Sequence, residues 1–133
     1  MLEAQLQGVP FFSGLSKREL AKVAQSADEV DVKEGEALAR EGEFGQEFFV
    51  IADGTAEVTR DGAQIATLGP GDFFGEMSLL GDDKRMATVT ATSPMRVLVM
   101  TRASFRSIDR ELPEVHARVV EAIEARRAAA QSS

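Results

Sequence analysis

The residues that could do chemistry are concentrated in residues 69–89. A glycine-bracketed turn there leads into Gly75 and Glu76, and Arg85 follows nine residues after Glu76. Glycine has no Cβ, so the backbone at Gly75 can approach a ligand closely. A short helix opening at Glu76 offers free N–H groups to an anion, and Arg85 supplies a permanent, fork-shaped charge that suits a phosphate. Because the Glu76 carboxylate can also accept from a hydroxyl, the segment predicts a pocket for a phosphorylated sugar that carries a flat apolar base.

The composition excludes several other kinds of site. Lys and Arg total 15 against 22 Asp and Glu, so the net charge is −7, and we expect no nucleic-acid partner. Cysteine is absent and His116 is the single histidine, which excludes disulfides, thiol catalysis and a multi-histidine metal centre. No apolar run approaches the length of a membrane span and no signal peptide opens the chain, so we expect a cytoplasmic protein without membrane insertion.

The same residue counts argue against an enzyme. The single histidine, His116, falls in a predicted helix, where we expect no Ser/His/Asp arrangement to form around it, and no Walker-type Gly-Lys-Ser/Thr loop is present. A metal-dependent enzyme on a similar barrel would need several histidines. We therefore expect a binding protein with no catalytic residue, no metal and no cofactor.

Three zones divide the chain. Residues 1–27 and 102–133 have helical composition, whereas residues 28–101 hold nine of the 11 glycines together with the β-branched runs. Six strand-like pieces lie between the turn signals, at residues 29–33, 47–52, 55–60, 63–68, 86–92 and 96–101. The turn signals include Gly45 and Asp61-Gly62, and the latter, between two strand-like pieces, predicts a hairpin. The first of them alternates as a half-buried strand does, whereas two apolar runs, 48–51 and 97–100, indicate strands buried on both faces. Many short antiparallel strands with tight turns are typical of a barrel or jelly roll.

The predicted fold is mainly β with flanking helices. It is an antiparallel β-roll or jelly roll (a double-stranded β-helix) of about eight strands, with N-terminal helices and a C-terminal helix pair. Ser16 and Glu19 predict a capping box that opens the N-terminal helix. A short helix is expected at residues 102–109, and a longer one from Pro113, where proline suits the first turn.

The chemistry-bearing segment resembles the phosphate-binding cassette of the cyclic-nucleotide-binding domain family. The resemblance is carried by Phe74-Gly75-Glu76-Met77-Ser78-Leu79, by the spacing from Glu76 to Arg85, and by Ala87-Thr88-Val89. It extends over residues 9–125, through Gly35-Glu36, Glu41-Gly42, Phe48-Phe49-Val50-Ile51, Gly54 and Gly71-Asp72-Phe73. It implies one domain over residues 1–133: a helical segment at 1–27, a β-roll at 28–101 with its cassette at 74–88, and C-terminal helices at 102–133.

The resemblance also implies the roles of individual residues. Glu76 is expected to bind the ribose 2′-hydroxyl, and Arg85 the exocyclic oxygens of a cyclic phosphate. Backbone N–H groups of the cassette would complete the phosphate cradle, and strand residues would pack against the base. The implied ligand-binding residues are Gly75, Glu76, Met77, Ser78, Arg85, Met86 and Ala87, with Val58, Ile65 and Ala66 at the base.

Two positions depart from the family pattern. Lys84 stands where the family often has proline or threonine, and Met86 where it usually has alanine, serine or threonine. A hydroxyl at position 86 can bond the guanine amino group, a trait of cGMP-selective members, and methionine lacks it. The resemblance therefore implies cAMP as the ligand in preference to cGMP.

In this family the C-terminal helix swings over the base when ligand binds. The chain has no Tyr or Trp and no Phe beyond Phe105, so the expected lid is either aliphatic or an arginine stacked on the base. The lid candidates are Val119, Val120, Ile123 and Arg126. The apolar stripe that contains the first three also suits a core or a homodimer contact, and one helix can serve both purposes.

Two functions remain open at this stage. The first is a sensor that converts nucleotide occupancy into movement of the C-terminal helix and signals to an unidentified effector protein or fused domain. The second is a degenerate, non-binding roll that serves for protein interaction or dimerisation, an alternative that Lys84 and Met86 keep open. Separately, Glu76 and Arg85 could simply pair with each other as a surface ion contact. Residues after 125 leave no room for an effector domain, so we expect either a stand-alone domain, as Met1 suggests, or a fragment of a longer protein.

Overall fold

The structure is a computed structural model that describes residues 6–81 and 83–132, without the side chains of residues 11, 83, 126, 127 and 129–132. Its helices are α1 (Lys17–Gln25), α2 (Arg102–Glu111) and α3 (Pro113–Ser132), with two short 3₁₀ helices, η1 (Pro10–Phe12) and η2 (Glu76–Leu79). Its strands are β1 (Asp28–Val32), β2 (Ala37–Ala39), β3 (Phe44–Gly45), β4 (Glu47–Asp53), β5 (Ala56–Arg60), β6 (Ala63–Leu68), β7 (Phe73–Phe74), β8 (Asp83–Lys84), β9 (Thr88–Ala91) and β10 (Met95–Thr101).

All strand pairs are antiparallel and form two four-stranded sheets and one ribbon. The first sheet has the order β1-β10-β4-β7, the second has the order β2-β9-β5-β6, and β3 pairs with β8. The β5–β6 hairpin turns at Asp61 and Gly62, whose φ angles are both positive, at 52° and 81°. A two-residue turn of this kind matches the twist of its flanking strands.

Two hydrophobic cores share the central strands β4 and β10. Successive residues of a strand face opposite sides, so each of these apolar strands contributes to both cores. One set packs against the helices: Phe48, Val50, Leu98 and Met100. The other set fills the interior of the roll: Phe49, Ile51 and Val97. Each fully buried side chain of this size contributes about 1.5–3 kcal/mol, so the two apolar runs anchor the fold.

The N-terminal helix is tied to the C-terminal helix through Glu19. The predicted capping box is present: the Ser16 side chain accepts from the Glu19 N–H, and the Glu19 carboxylate accepts from the Ser16 N–H at 2.9 Å. The same carboxylate accepts from Nη2 of Arg118 on α3 at 3.0 Å. One side chain therefore both begins α1 and connects it to the C-terminal helix.

The predicted fold is confirmed as an antiparallel β-roll with flanking helices and a C-terminal helix pair. The structure describes ten strands, whereas the sequence predicts about eight. Three of the ten, β3, β7 and β8, are only two residues long. One detail differs from the predictions: Val30 is exposed although β1 alternates, and β1 is an edge strand of its sheet. The ring of His116, on α3, stacks on Phe105 at 4.5 Å.

None of the helices in the described part of the chain is long and apolar enough to cross a membrane.

Replacing Glu19 with Gln is expected to destabilise the fold at neutral pH but not in acid. The Ser16 N–H holds the pKa of Glu19 below its ordinary value of 4.5, and Arg118 lowers it further, against the opposing effect of burial. A lowered pKa in the folded state means that the ionised carboxylate stabilises the fold above pH 4.5, and that this contribution is lost as the pH falls through the folded pKa. Gln can still cap the helix, so the variant isolates the charge.

Thermal unfolding followed by circular dichroism checks this. Glu121→Gln, on the exposed face of α3, is the matched control and should leave the Tm unchanged. A Tm difference between wild type and Glu19→Gln that persists unchanged below pH 4.5 would contradict the assignment.

Candidate functional site

A pocket of about 260 Å³ opens between the second sheet, η2 and the segment that follows β8. Its volume lies just below the range of roughly 300–1,000 Å³ that is usual for small-molecule sites. Eight of its residues are apolar and one, Arg85, is a cation. The lining residues are Ala39, Val58, Leu68, Phe74, Gly75, Glu76, Met77, Arg85, Met86, Ala87 and Val89.

Arg85 is the one buried charged residue of the described chain, with 9% of its surface exposed. Its Nη2 donates to the carbonyl oxygen of Glu47 at 2.8 Å. The backbone of Arg85 is held at both ends: its N–H donates to the Glu43 carbonyl at 2.8 Å, and its carbonyl accepts from the Gly42 N–H at 2.9 Å. Burying a cation costs free energy unless polar groups compensate its charge. The hydrogen bonds of Arg85 therefore hold its guanidinium in a defined position in the pocket.

Two glycines make the space that the Arg85 guanidinium occupies. A Cβ at Gly45 would overlap Nε, Cζ and Nη2 of Arg85, and a Cβ at Gly75 would lie 2.6 Å from both Nη1 of Arg85 and the Glu47 carbonyl oxygen. Gly75 also has a φ of +85°, which side chains rarely adopt. The sequence identified Gly75 but treated Gly45 only as a turn residue, because 40 residues separate it from the arginine that it accommodates.

The cassette helix η2 begins directly after Gly75. Glu76 is half-buried and lines the pocket, and no ion pair joins it to another residue that the structure describes, so the simple Glu76–Arg85 pair does not form. Ser78 is fully buried, and within the described chain its Oγ has no hydrogen-bond partner. Ser78 itself does not line the pocket, whereas Met77 both lines the pocket and packs against the helical core.

The predicted base-packing residues are only partly gathered at the pocket. Val58 lines it, but Ile65 and Ala66 are exposed and lie outside its lining. Both belong to β6, the edge strand of the second sheet, and as neighbours in a strand they face opposite sides. The structure therefore does not bring these two residues to the pocket in this arrangement, whereas Leu68, at the end of the same strand, lines it.

Sequence reasoning also missed three other wall residues, Ala39, Phe74 and Val89. Phe74 also packs against the interior core of the roll, where its ring stacks on Phe49 at 4.8 Å with the planes 19° apart. Val89 and Ala39 belong to paired strands, β9 and β2. Alternation along β9 could have indicated which of its residues face inward.

The three aliphatic lid candidates do not cover the pocket in this arrangement. Val119 and Ile123 are buried in the helical core, and Val120 packs against the same core. Arg126 falls outside the residues whose side chains the structure describes. The sequence allows this apolar stripe to serve as a lid, a core contact or a homodimer contact. In the described residues it packs into the helical core.

Comparison with known proteins assigns the chain to a family. The family model of the cyclic nucleotide-binding domain matches residues 29–111, which contain the β-roll from Glu29 onward and every lining residue of the pocket. The chain belongs to the cyclic nucleotide-binding domain family. The resemblance on which the cassette was recognised is thereby confirmed at the level of the family.

Individual relatives of this cyclic nucleotide-binding domain are regulatory proteins. The cAMP-dependent protein kinase regulatory subunit of Yarrowia lipolytica is 38% identical over 110 residues, which are 81% of this chain and 29% of that subunit. The N-terminal domain of a transcriptional regulator from Streptomyces coelicolor A3(2) superposes with a TM-score of 0.85 at 26% identity, over 96% of this chain and 93% of that one. The regulatory domain of Toxoplasma gondii PKA, crystallised with cAMP, gives a TM-score of 0.72 at 31% identity, over 80% and 42%. The chain thus spans less than a third of the kinase subunit from Yarrowia.

Gly45→Ala is expected to displace Arg85 without unfolding the domain. The new Cβ would collide only with the end of a flexible side chain, so the roll can keep its backbone while the guanidinium leaves its place. Loss of one charge-assisted interaction is worth about 1.5–3 kcal/mol, so the dissociation constant for a cAMP probe should rise about tenfold or more. Isothermal titration calorimetry measures it.

Gly14→Ala is the matched control, because a Cβ there meets nothing within 4 Å. If the Gly45→Ala domain binds the probe as tightly as the wild type, the contact between Gly45 and Arg85 has no bearing on the site.

Proposed function

We propose that the chain is a sensor domain that binds a cyclic nucleotide, cAMP in preference to cGMP, and passes its occupancy to an effector through the C-terminal helix. The observation that carries this proposal is the buried guanidinium of Arg85 in a mainly apolar pocket that Glu76 also lines. A pocket with a cation at one end and an apolar wall fits an anionic group joined to a flat apolar ring. No residue of this arrangement suggests catalysis, and we infer that the domain is not an enzyme.

The phosphate end of the pocket is formed by the cassette. Arg85 presents a planar set of donors that suits two oxygens of a phosphate. The half-buried Glu76 lies in the same pocket, where its carboxylate can accept from a ribose 2′-hydroxyl. Arg85 would thus bind the anionic group of the ligand and Glu76 its hydroxyl. A nucleoside cyclic phosphate carries these two groups next to each other.

The base end is apolar and supports a preference for cAMP. Val58, Leu68 and Val89 line this part of the pocket, and adenine is the purine that has no 2-amino group to satisfy. Met86 lies at the rim, 71% exposed, and its thioether sulfur is at most a weak acceptor. The chain therefore lacks, at position 86, the hydroxyl that could bond the guanine amino group.

The short helix η2 supplies a physical route from the pocket to the C-terminal helices. Met77 touches both the pocket and the helical core, while Leu79 is buried in that core together with Phe105 of α2 and Val119 of α3. The buried Ser78 hydroxyl gains no hydrogen bond within the described chain, a cost of about 1–3 kcal/mol. A rearrangement of η2 that pairs this hydroxyl would recover that cost, and it would move the residues against which α2 and α3 pack.

The output of the domain follows from this coupling. A ligand shifts the position of a helix only by as much as its affinities for the two arrangements differ. Val119, Val120 and Ile123, released from the helical core, would supply an apolar face for the base, as the lid prediction requires, or for a second copy of the chain. The effector, whether a separate protein or a fused domain, would read the position of α3.

Calorimetric titration with cAMP and cGMP tests the binding part of the proposal. The wild type is expected to bind one cAMP per chain and cGMP more weakly, because Met86 offers guanine no partner. Arg85→Ala should abolish measurable binding of both nucleotides, since the phosphate then faces an apolar cavity. Met86→Thr should narrow the ratio of the two dissociation constants by about tenfold, the value of a good hydrogen bond.

Arg102→Ala, a half-buried arginine at the start of α2, is the control for losing one positive charge elsewhere. If neither nucleotide binds the folded wild type, the chain is the degenerate interaction module that the sequence left open. If cAMP and cGMP bind equally, the role of Met86 in selectivity is wrong although the sensor stands.

A distance measurement tests the movement of the helix. The chain contains no cysteine, so Thr67→Cys on β6 and Glu121→Cys on α3, both exposed, can be spin-labelled specifically. Saturating cAMP is expected to shift the distance distribution from electron–electron double resonance, and the Arg85→Ala background should show no shift. An unchanged distribution in a domain that demonstrably binds cAMP would leave a binding module without this output.

A further inference from the structure

Two consecutive carbonyl groups of the cassette are held by residues that do not line the pocket. The Arg85 carbonyl accepts from the Gly42 N–H at 2.9 Å. The Met86 carbonyl accepts from Nε of Arg60, on β5, at 3.1 Å. The first bond is between backbone groups, so Arg60 is the side chain through which the sequence controls this part of the backbone.

These bonds set the direction of two N–H groups. A trans peptide is planar, so a carbonyl and the N–H of the next residue point in opposite directions. Fixing the carbonyls of Arg85 and Met86 therefore fixes the N–H groups of Met86 and Ala87, and both residues line the pocket. Within the described part of the chain, neither N–H donates a hydrogen bond to another residue.

The position of Arg60 explains why a side chain is needed here. The ladder between β5 and β9 ends at the pair Thr59 and Thr88, so the cassette residues before Thr88 lie beyond its last backbone pair. Arg60 continues the connection with its side chain. Glu41 provides a second connection between the end of β5 and the start of β9. Its N–H donates to Thr88 Oγ1 at 3.0 Å, while its carboxylate accepts from the Asp61 N–H at 3.1 Å.

We propose that Arg60 is a positioning residue of the phosphate site. It does not touch the ligand; by holding the Met86 carbonyl outward it directs the Ala87 N–H, next to that of Met86, toward the phosphate of a cyclic nucleotide. This inference rests on the proposed function, because it concerns the phosphate end of the same pocket. It assigns to this residue a role that depends on its Nε–H donor and not on its charge.

Three substitutions separate the donor from the charge. In Arg60→Gln, Nε2 lies the same number of bonds from Cα as the arginine Nε, so a donor is kept while the charge is lost. Arg60→Met has the same length with neither donor nor charge. Arg60→Lys keeps the charge but carries its nitrogen one atom further along the chain. Arg106→Met, an exposed arginine on α2, changes the net charge equally and serves as the control.

The experiment combines calorimetry with cAMP and the ¹H–¹⁵N spectrum of the protein alone. Arg60→Met is expected to raise the dissociation constant about threefold to tenfold, the range of one net hydrogen bond, and to shift the Ala87 amide resonance. Arg60→Gln should stay within about twofold of wild type, whereas Arg60→Lys should resemble Arg60→Met. Arg106→Met should change neither readout.

Distinct results would overturn the inference. If Arg60→Met binds cAMP as wild type does, or leaves the Ala87 resonance in place, Arg60 does not position the cassette, although the sensor function stands. If Arg60→Lys binds normally and Arg60→Gln does not, the residue acts through its charge. If the wild type binds no cAMP, the proposed function fails and this inference fails with it.

Discussion

The burial of the Arg85 guanidinium is the constraint on which the pocket depends. A cation taken out of water costs several kcal/mol unless polar groups and counter-charges compensate it. The chain meets this cost by leaving out two side chains, at Gly45 and Gly75, and by turning the Glu47 carbonyl toward Nη2. These three positions come from different segments, so the cation can be held only after β3, β4 and the cassette have come together. The site is therefore a product of the completed roll and not of the cassette alone.

Strand β4 is the element that connects this site to the rest of the molecule. Its first residue, Glu47, supplies the carbonyl that holds Arg85, its Phe48 packs in the helical core, and its Phe49 stacks on Phe74 at the pocket wall. Alternation along a single apolar strand thus joins pocket, roll interior and helices. Because packed cores respond to a shift by repacking and not by gradual deformation, the proposed displacement of η2 would reach α2 and α3 as a change of packing in the core that they share with it.

Most of the fold could be predicted from signals between neighbouring residues. Contacts between residues that are distant in the sequence could not be predicted. The capping box of Ser16 and Glu19 and the turn at Asp61 and Gly62 depend on neighbouring residues, and both were found as expected. The six strand-like pieces all correspond to strands, but the two-residue strands have no periodicity that a sequence could show. The role of Gly45 and the exposure of Ile65 depend on which strand becomes an edge or approaches Arg85. Such facts follow from the assembled sheet order, which no local pattern contains.

The negative net charge of the chain affects how the buried cation can attract an anionic ligand. With a net charge of −7, the overall field repels an anionic ligand at long range, and salt screens that repulsion beyond about 8–10 Å. Attraction must therefore act at short range, where the low dielectric of a buried site strengthens each interaction. A surface lysine could not do this, because water would weaken its charge. A site that attracts its ligand only at short range discriminates by shape and by hydrogen bonding in addition to charge.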